Sequence, residues 1–168
     1  MTILNLKSNL QTQFDNFIET VQSFDNASLN KIPFKGSWTA GQVAQHIIKS
    51  TDQLPDKNVA ATNRKEDEKV LDLKNLFLDY TLKMEAPDFI VPSLKEYKID
   101  IITQQLEDIK EKHLNSIKSK DLKLLCLEME LPTFGYLTRY EWLYFISIHT
   151  QRHSHQLENI MRHLKNRN

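Results

Sequence analysis

The sequence has few of the residues that interrupt helices and few that form covalent cross-links. Among its 168 residues there are three glycines, five prolines and a single cysteine, Cys126. Proteins built from short strands and tight turns need more glycine and proline, so this composition favours long helices. A single cysteine excludes an intrachain disulfide and a cysteine-rich metal site. Any bound metal would therefore be held by nitrogen or oxygen ligands.

The sequence also lacks an excess of charge of either sign. Twenty-two basic residues balance twenty-two acidic residues, so no bulk positive charge would attract nucleic acid or an anionic membrane. No stretch reaches the roughly 18 apolar residues of a membrane-spanning helix. The first residues, MTILNLKSNLQTQFDNF, contain too many polar side chains for a secretory signal. We therefore expect a cytoplasmic protein, with residues 1–168 forming one domain.

Apolar residues recur at helical spacing in the first part of the chain. A helix is predicted over about residues 3–25, with an apolar face made of Leu6, Leu10, Phe14, Phe17, Ile18, Val21 and Phe24. Thr39 and Gln42 then match a capping box, a pattern that starts helices, and a second helix is predicted to run to about Leu54. The charged segment PDKNVAATNRKEDEK has no apolar period and is predicted to be an exposed, solvated connection.

The middle of the chain predicts one short and one long helical segment. The short segment covers about residues 69–84. Pro87 and Pro92 follow, and they exclude helix locally because proline removes a backbone donor and restricts the residue before it. The long helix is predicted over about residues 95–117, with a stripe formed by Ile99, Ile102, Leu106, Ile109, His113 and Ile117.

A second capping box starts the last predicted helix. Thr138 and Glu141 have the required spacing, and the apolar pattern after them continues past residue 163. The sequence thus predicts an all-α protein with four principal helices, a short extra helical segment and long connections between some of the helices. This organisation is typical of a helical bundle with crossover connections.

Histidines interrupt the apolar stripe of the last helix. That stripe consists of Trp142, Phe145, His149, His153, Gln156, Ile160 and Leu164. Imidazoles four residues apart on a helix have Cβ atoms roughly 6 Å apart, which allows both to bind one ion. Alternatively, each ring simply finds its own hydrogen-bond partner in the core.

A third histidine, His46, lies on the apolar side of the second helix, in GQVAQHIIKS. Several neutral imidazoles in one interior compete for few partners, and a divalent cation satisfies them together. Three nitrogen ligands also leave coordination positions open for water or substrate, as in catalytic metal sites. Of the other histidines, His113 is predicted to be structural, whereas His155 and His163 are predicted to lie on the surface.

Two familiar metal motifs do not fit the sequence. The metalloprotease pattern needs a glutamate directly after its first histidine, but Thr150 follows His149. The di-iron bundle pattern needs Glu-x-x-His motifs and further core glutamates. No such motif lies around the three histidines, and no glutamate is expected in the core. Neither a zincin-type protease nor an oxygen-activating di-iron centre is therefore expected.

The segments GSWTAGQVAQHI and LPTFGYLTRYEWLYFISIHTQRHSHQL closely resemble the DinB-like (YfiT/DinB) superfamily, and the resemblance spans nearly the whole chain. It implies a four-helix bundle with up-down-down-up topology and often a homodimer. It also implies a divalent metal, zinc or nickel, on His46, His149 and His153. Some members of this superfamily transfer low-molecular-weight thiols such as bacillithiol, mycothiol or glutathione to electrophiles, and others are described as metal-dependent hydrolases.

The expected function is therefore that of a metal-dependent thiol S-transferase or hydrolase acting on a small molecule, with a metal-bound water or thiolate as the reactive group. The alternative is a noncatalytic stress-response binding protein with a structural or absent metal. Gln156 is expected either to bind substrate or a metal ligand, or to be a polar residue at the end of the seam. Arg152 is expected either to guide an anionic substrate or to form an ordinary salt bridge. Trp38 and Trp142 are expected to be packing residues, and no general base is evident.

Overall fold

The computed structural model describes residues 3–166, and these residues are mostly helical, as the sequence predicts. The six α-helices in this part of the chain are α1 (Ile3–Gln22), α2 (Asn26–Leu29), α3 (Ala40–Thr51), α4 (Val70–Phe77), α5 (Ile99–Ser119) and α6 (Arg139–Lys165). They are accompanied by a 3-10 turn, Asp88–Ile90, and by an antiparallel pair of two-residue strands, β1 (Val59–Ala60) and β2 (Leu125–Cys126). Within residues 3–166, every helix is too short or too polar to cross a membrane.

The four longest helices share one hydrophobic core. Helix α1 packs against α5 and α6, and α3 packs against the same two helices. Burial of apolar side chains in this core is the main force that stabilises the arrangement. The buried face of α1 is the one that its periodicity predicts, namely Leu6, Leu10, Phe14, Phe17, Ile18 and Val21.

Helix α1 ends at Gln22, earlier than the predicted end near residue 25. The reason is that Asp25 begins the short helix α2. Its carboxylate accepts a hydrogen bond from the backbone N–H of Ser28 at 2.7 Å, and an N-cap residue has extended backbone angles that stop a preceding helix. The apolar pattern continues beyond the helix because Phe24 is still buried in the core.

The two predicted capping boxes are present at the starts of α3 and α6. Thr39 Oγ1 accepts from the Gln42 N–H at 3.1 Å, and the Gln42 side chain accepts from the Thr39 N–H at 2.9 Å. Thr138 and Glu141 make the equivalent pair of bonds at 3.1 Å and 2.9 Å. Because a cap fixes where a helix begins, it also fixes which later side chains face the core.

Two predicted boundaries between residues 69 and 117 are wrong, and so is the exclusion of helix after Pro87. Helix α4 covers only Val70–Phe77 of the predicted 69–84, and α5 begins at Ile99 rather than near 95. A 3-10 turn lies after Pro87, where helix was excluded. Proline is tolerated there because the first N–H groups of a helix have no intrahelical partner in any case.

The charged segment after α3 is not a purely solvated connection, contrary to the prediction. It contains β1, and its Arg64 donates from Nη1 and Nη2 to the Glu141 carboxylate at 2.5 and 2.7 Å. Glu141 is fully buried, so the prediction that the core holds no glutamate is also wrong. Glu141 precedes His149 by two helical turns, about 12 Å along the axis of α6, and therefore lies away from the three histidines.

Candidate metal centre

Helices α3 and α6 bring the three predicted histidines together. His46 lies in the middle of α3, and His149 and His153 lie one turn apart on α6. His46 and His149 are buried, whereas His153 is partly exposed. One ring nitrogen from each histidine lies within 4.8 Å of the other two. The interface between two ligand-bearing helices thus forms a compact cluster of three imidazoles.

The distances between the Nε2 atoms fit a single metal ion. His149 Nε2 lies 3.3 Å from His46 Nε2 and 3.1 Å from His153 Nε2. Four-coordinate zinc with Zn–N bonds of about 2.0 to 2.1 Å separates neighbouring ligand nitrogens by about 3.3 Å. Both distances from His149 Nε2 are therefore close to those of a tetrahedral coordination sphere.

Acceptors on the outer side of two rings set their tautomers. His46 Nδ1 lies 3.1 Å from the Ile90 carbonyl oxygen, and His153 Nδ1 lies 2.7 Å from Gln156 Oε1. A carbonyl oxygen can only accept, so Nδ1 of each ring carries a proton and donates it. In a neutral imidazole the Nε2 atom then holds a lone pair, which in both rings is directed toward the centre of the cluster.

His149 is held mainly by aromatic packing. Its Nδ1 is 3.4 Å from Ser50 Oγ, at the long end of hydrogen-bonding distance. The Phe145 ring stacks on the imidazole with a centroid distance of 5.2 Å, and the Phe77 ring meets it edge-on at 6.2 Å. A proton on His149 Nε2 could satisfy the lone pair of one neighbouring histidine but not both. A cation would satisfy all three rings at once.

Burial keeps the three imidazoles neutral. Burial lowers the pKa of His46, although its contact with a backbone carbonyl raises it. The pKa of His149 is well below its usual value because of burial, with further lowering from the other two histidines. Burial and the neighbouring His46 lower the pKa of His153 to about 3. Neutral imidazole is the form that binds a metal ion, so the cluster has the protonation state that coordination requires.

Comparison with known proteins identifies the family of this chain. The sequence matches the family model of the DinB superfamily over residues 9–157, a range that contains all three histidines. This chain belongs to the DinB superfamily. It is also 25% identical over 151 residues to a Bacillus subtilis (strain 168) protein named "Uncharacterized protein YuaE", covering 83% of this chain and 87% of that protein. No solved structure shows a significant match to the chain.

In this DinB superfamily protein, the two predicted substrate residues have partners within the chain. Gln156 bonds to a histidine of the cluster, as described above. Within residues 3–166, Arg152 has no ion pair, which was one of its two expected roles, and instead donates to backbone carbonyls. Its Nη1 bonds to Phe77 O at 3.1 Å and to Asp79 O at 2.8 Å, and its Nη2 bonds to Leu82 O. Arg152 thus ties α6 to the end of α4 and to the turn that follows.

The remaining histidines of the DinB superfamily chain lie outside the cluster, as predicted. His113 is buried in α5, and its Nε2 donates to the Thr51 carbonyl at 2.5 Å. His155 is partly exposed and stacks on Tyr80 at a centroid distance of 4.3 Å. His163 is exposed near the end of α6. The cluster therefore uses half of the six histidines in the sequence.

Several groups that contact the cluster could not be assigned to it from sequence. The Ile90 carbonyl and the Phe77 ring come from segments whose position depends on the tertiary fold. Trp38, predicted as a packing residue, lies against His46 with a centroid distance of 5.2 Å. Ser50, in contrast, could have been assigned to the cluster from sequence, because it follows His46 by one turn on the same face of α3.

Two clefts on the surface of this DinB superfamily protein are separate from the cluster. A cleft of about 570 Å³ between α3 and α5 is lined in part by Lys49 and Phe89. A cleft of about 410 Å³ between α1 and α6 is lined in part by Tyr80 and His155. None of the three clustered histidines lines either cleft.

Proposed function

We propose that this protein is a metal-dependent enzyme that acts on a small molecule at His46, His149 and His153. The observation that carries the proposal is the convergence of three imidazoles, in which His149 Nε2 lies 3.3 and 3.1 Å from Nε2 of the other two and Nδ1 of those two rings is bonded to a carbonyl oxygen. Imidazole nitrogen suits zinc and nickel, which are the proposed ions. Three protein ligands leave coordination positions free for other molecules, which is the pattern of catalytic sites.

The proposed reaction is thiol S-transfer or hydrolysis, with a low-molecular-weight thiol as a proposed substrate in the first case. A divalent ion on three neutral imidazoles makes a bound water or thiol more acidic, which serves both reactions. Gln156 and the Ile90 carbonyl hold two ligand rings in place, and Phe145 covers the third. The amide N–H groups of Gln156 have no partner within residues 3–166, which makes it the first candidate for substrate contact, and Arg152 remains the second.

Membership of the DinB superfamily supports three further parts of the proposal. These are the up-down-down-up order of the four long helices, assembly as a homodimer and a cytoplasmic location. The four helices that would form the bundle are α1, α3, α5 and α6, which share the core.

A second candidate function is that of a noncatalytic stress-response binding protein with a structural metal or none. Two surface clefts favour it, because neither the cleft between α3 and α5 nor the cleft between α1 and α6 is lined by a histidine of the cluster. Replacing the ion by Co²⁺ separates the candidates, since added thiol would change the visible spectrum of an open site and leave that of a closed site unchanged. The enzymatic proposal predicts the change.

Metal content tests the proposal directly. We would measure it by mass spectrometry on untagged protein purified without added metal, together with His149→Ala and the control His155→Ala. We expect about one ion per chain in the wild type and the control, and none in His149→Ala. Wild-type protein that is empty, and that also fails to bind zinc, nickel and manganese at micromolar concentration, would overturn the proposal.

A further inference from the structure

The three imidazoles of the cluster are not held equally firmly by hydrogen bonds. His46 and His153 each donate from Nδ1 to a carbonyl oxygen, at 3.1 and 2.7 Å. Among the residues that the structure describes, the Nδ1 atom of His149 has only the 3.4 Å contact with Ser50 Oγ. The orientation of His149, the ring whose Nε2 lies close to both others, therefore depends on the side chains packed around it.

Two phenylalanine rings provide this packing. Phe145 lies parallel to His149, with an angle of 14° between the ring planes. Phe77 contacts both rings edge-on, with centroid distances of 4.9 Å to Phe145 and 6.2 Å to His149. Phe145 is on the same helix as His149, one turn earlier, so α6 itself fixes its place. Phe77 is the last residue of α4, and its position depends on how that short helix ends.

Arg152 holds the end of α4. The last carbonyls of a helix have no partner within the helix, and α4 has eight residues. The Arg152 guanidinium donates to the carbonyl of Phe77 itself and to those of Asp79 and Leu82 in the turn that follows. A cation at this position also interacts favourably with the negative end of the helix dipole. Three bonds from one planar group fix the backbone on both sides of residue 78.

We propose that Arg152 is a positioning residue of the candidate metal centre, which acts on His149 through Phe77. The guanidinium fixes the C-terminal end of α4, the end of α4 presses Phe77 against His149 and Phe145, and the packed imidazole directs Nε2 toward the other two histidines. The inference rests on the proposed metal function, because its expected consequence is tighter metal binding. The orientation of the His149 ring can be measured with or without a metal.

The first test measures metal affinity by competition with a chromophoric chelator, using Co²⁺. Arg152→Met removes the donors and keeps an unbranched apolar chain, and Arg152→Lys keeps the charge without the planar fork. We expect Arg152→Met to bind Co²⁺ about tenfold more weakly, the lower end of the range for residues that orient a metal ligand, and Arg152→Lys to be intermediate. The matched control is Arg162→Met, because Arg162 is an exposed arginine of α6 that bonds to Asn159.

A double-mutant cycle tests the route through Phe77. Phe77→Leu keeps an apolar residue but loses the ring, and we expect it to weaken Co²⁺ binding to a similar extent. If Arg152 acts through Phe77, the effects of the two substitutions on Co²⁺ affinity are not additive. The double variant should then bind Co²⁺ no more weakly than whichever single variant binds it less well. Effects that multiply would overturn the route, and wild-type affinity in Arg152→Met would overturn the positioning role.

The second test does not need a metal. In metal-free protein, the imidazole ¹⁵N resonances of His149 should shift in Arg152→Met and stay unchanged in Arg162→Met. Those of His113, a buried histidine in α5, should be unchanged in both. If wild-type protein binds no metal, the proposed function fails, and these resonances alone decide the positioning role. Unchanged His149 resonances in Arg152→Met would overturn it, and Arg152→Lys serves the same comparison if Arg152→Met does not fold.

Discussion

At the scale of single residues, the candidate site depends on the outer nitrogen of each imidazole. A histidine in a core can present either nitrogen to a neighbour, and its hydrogen-bond partner decides which one. Gln156 makes that choice for His153 with a side chain, whereas a backbone carbonyl makes it for His46. Only the first of these can be removed by substitution, which makes Gln156 the most direct point at which to perturb the cluster.

We predict that Gln156→Leu weakens metal binding by about 10-fold to 100-fold, the usual cost of losing a partner that orients a metal ligand. Without the acceptor at 2.7 Å, the His153 ring can rotate or adopt the other tautomer. Competition with a chelator measures the change. The control is Gln151→Leu on the same helix, since Gln151 lines the cleft between α1 and α6. Equal affinities for both variants would show that Gln156 does not orient the ring.

We predict that His113 makes the protein less stable in acid. Burial lowers its pKa, and Lys112 and Lys120 lower it further, while the Thr51 carbonyl and Asp52 raise it. The unfolded chain therefore takes up a proton first. The free energy of unfolding is unaffected above about pH 7 and falls, as the pH drops below the unfolded value of about 6.5, by at most about 1.4 kcal/mol per pH unit.

Urea unfolding of metal-free protein at pH 7.5 and pH 5 measures this effect. His113→Gln keeps a donor for the Thr51 carbonyl and removes the titrating group, so it should lose less stability than the wild type over the same interval. The clustered histidines are present in both proteins and cancel in the comparison. Identical losses would show that His113 is not the source.

The sequence predicts the three clustered histidines because their signal is local. Helical spacing places His149 and His153 on one face of α6, and the same reasoning places His46 on the inner face of α3. Gln156 and Ser50 share a helix face with a clustered histidine and were predictable in the same way, but the other groups around the rings were not. The Ile90 carbonyl and the Phe77 ring reach the cluster from separate segments, and no periodicity within those segments indicates what they contact.

At the scale of helices and strands, predictions succeed where a short pattern determines the structure. Thr39 and Thr138 start α3 and α6 as their capping boxes predict. The end of α1 was missed because the box at Asp25 uses Ser28 in place of the usual glutamate or glutamine. The β1–β2 pair was missed because its two strands pair across a long stretch of chain, and two residues are too short for an alternating pattern.

The buried pair of Arg64 and Glu141 connects a loop to the start of α6, and we predict that breaking it is costly. Arg64→Met leaves the fully buried carboxylate of Glu141 without its cation, which should lower the free energy of unfolding by about 3 kcal/mol. The Lys69 N–H, which also donates to that carboxylate at 2.9 Å, cannot compensate for a missing charge.

Denaturant unfolding at neutral pH measures the loss. The matched control is Lys112→Met, because Lys112 and Asp52 form an ion pair in which both side chains are about half exposed. Exposed pairs contribute at most about 1 kcal/mol. If the two substitutions lower the free energy of unfolding equally, the buried pair of Arg64 and Glu141 contributes no more to stability than an exposed pair.

At the scale of the whole molecule, the single cysteine reports on global unfolding. Cys126 is fully buried, and burial raises the pKa of its thiol to about 12. The thiolate is the reactive form, so we predict that an aromatic disulfide reagent does not label the native protein at pH 8 and labels one thiol per chain in denaturant. Labelling followed by absorbance measures this. Rapid reaction of native protein would contradict the placement of Cys126 in the core.

The ligand histidines are far apart along the chain, and this has a consequence for how the protein opens. His46 and His149 are separated by 103 residues, so an ion bound to both closes a loop longer than half of the sequence. While it is bound, such an ion holds α3 and α6 together, and partly open states of the rest of the chain lose entropy because the loop stays closed. Release of the ion and detachment of α3 then become a single event. A protease that cuts the opened chain would measure the lifetime of the bound metal.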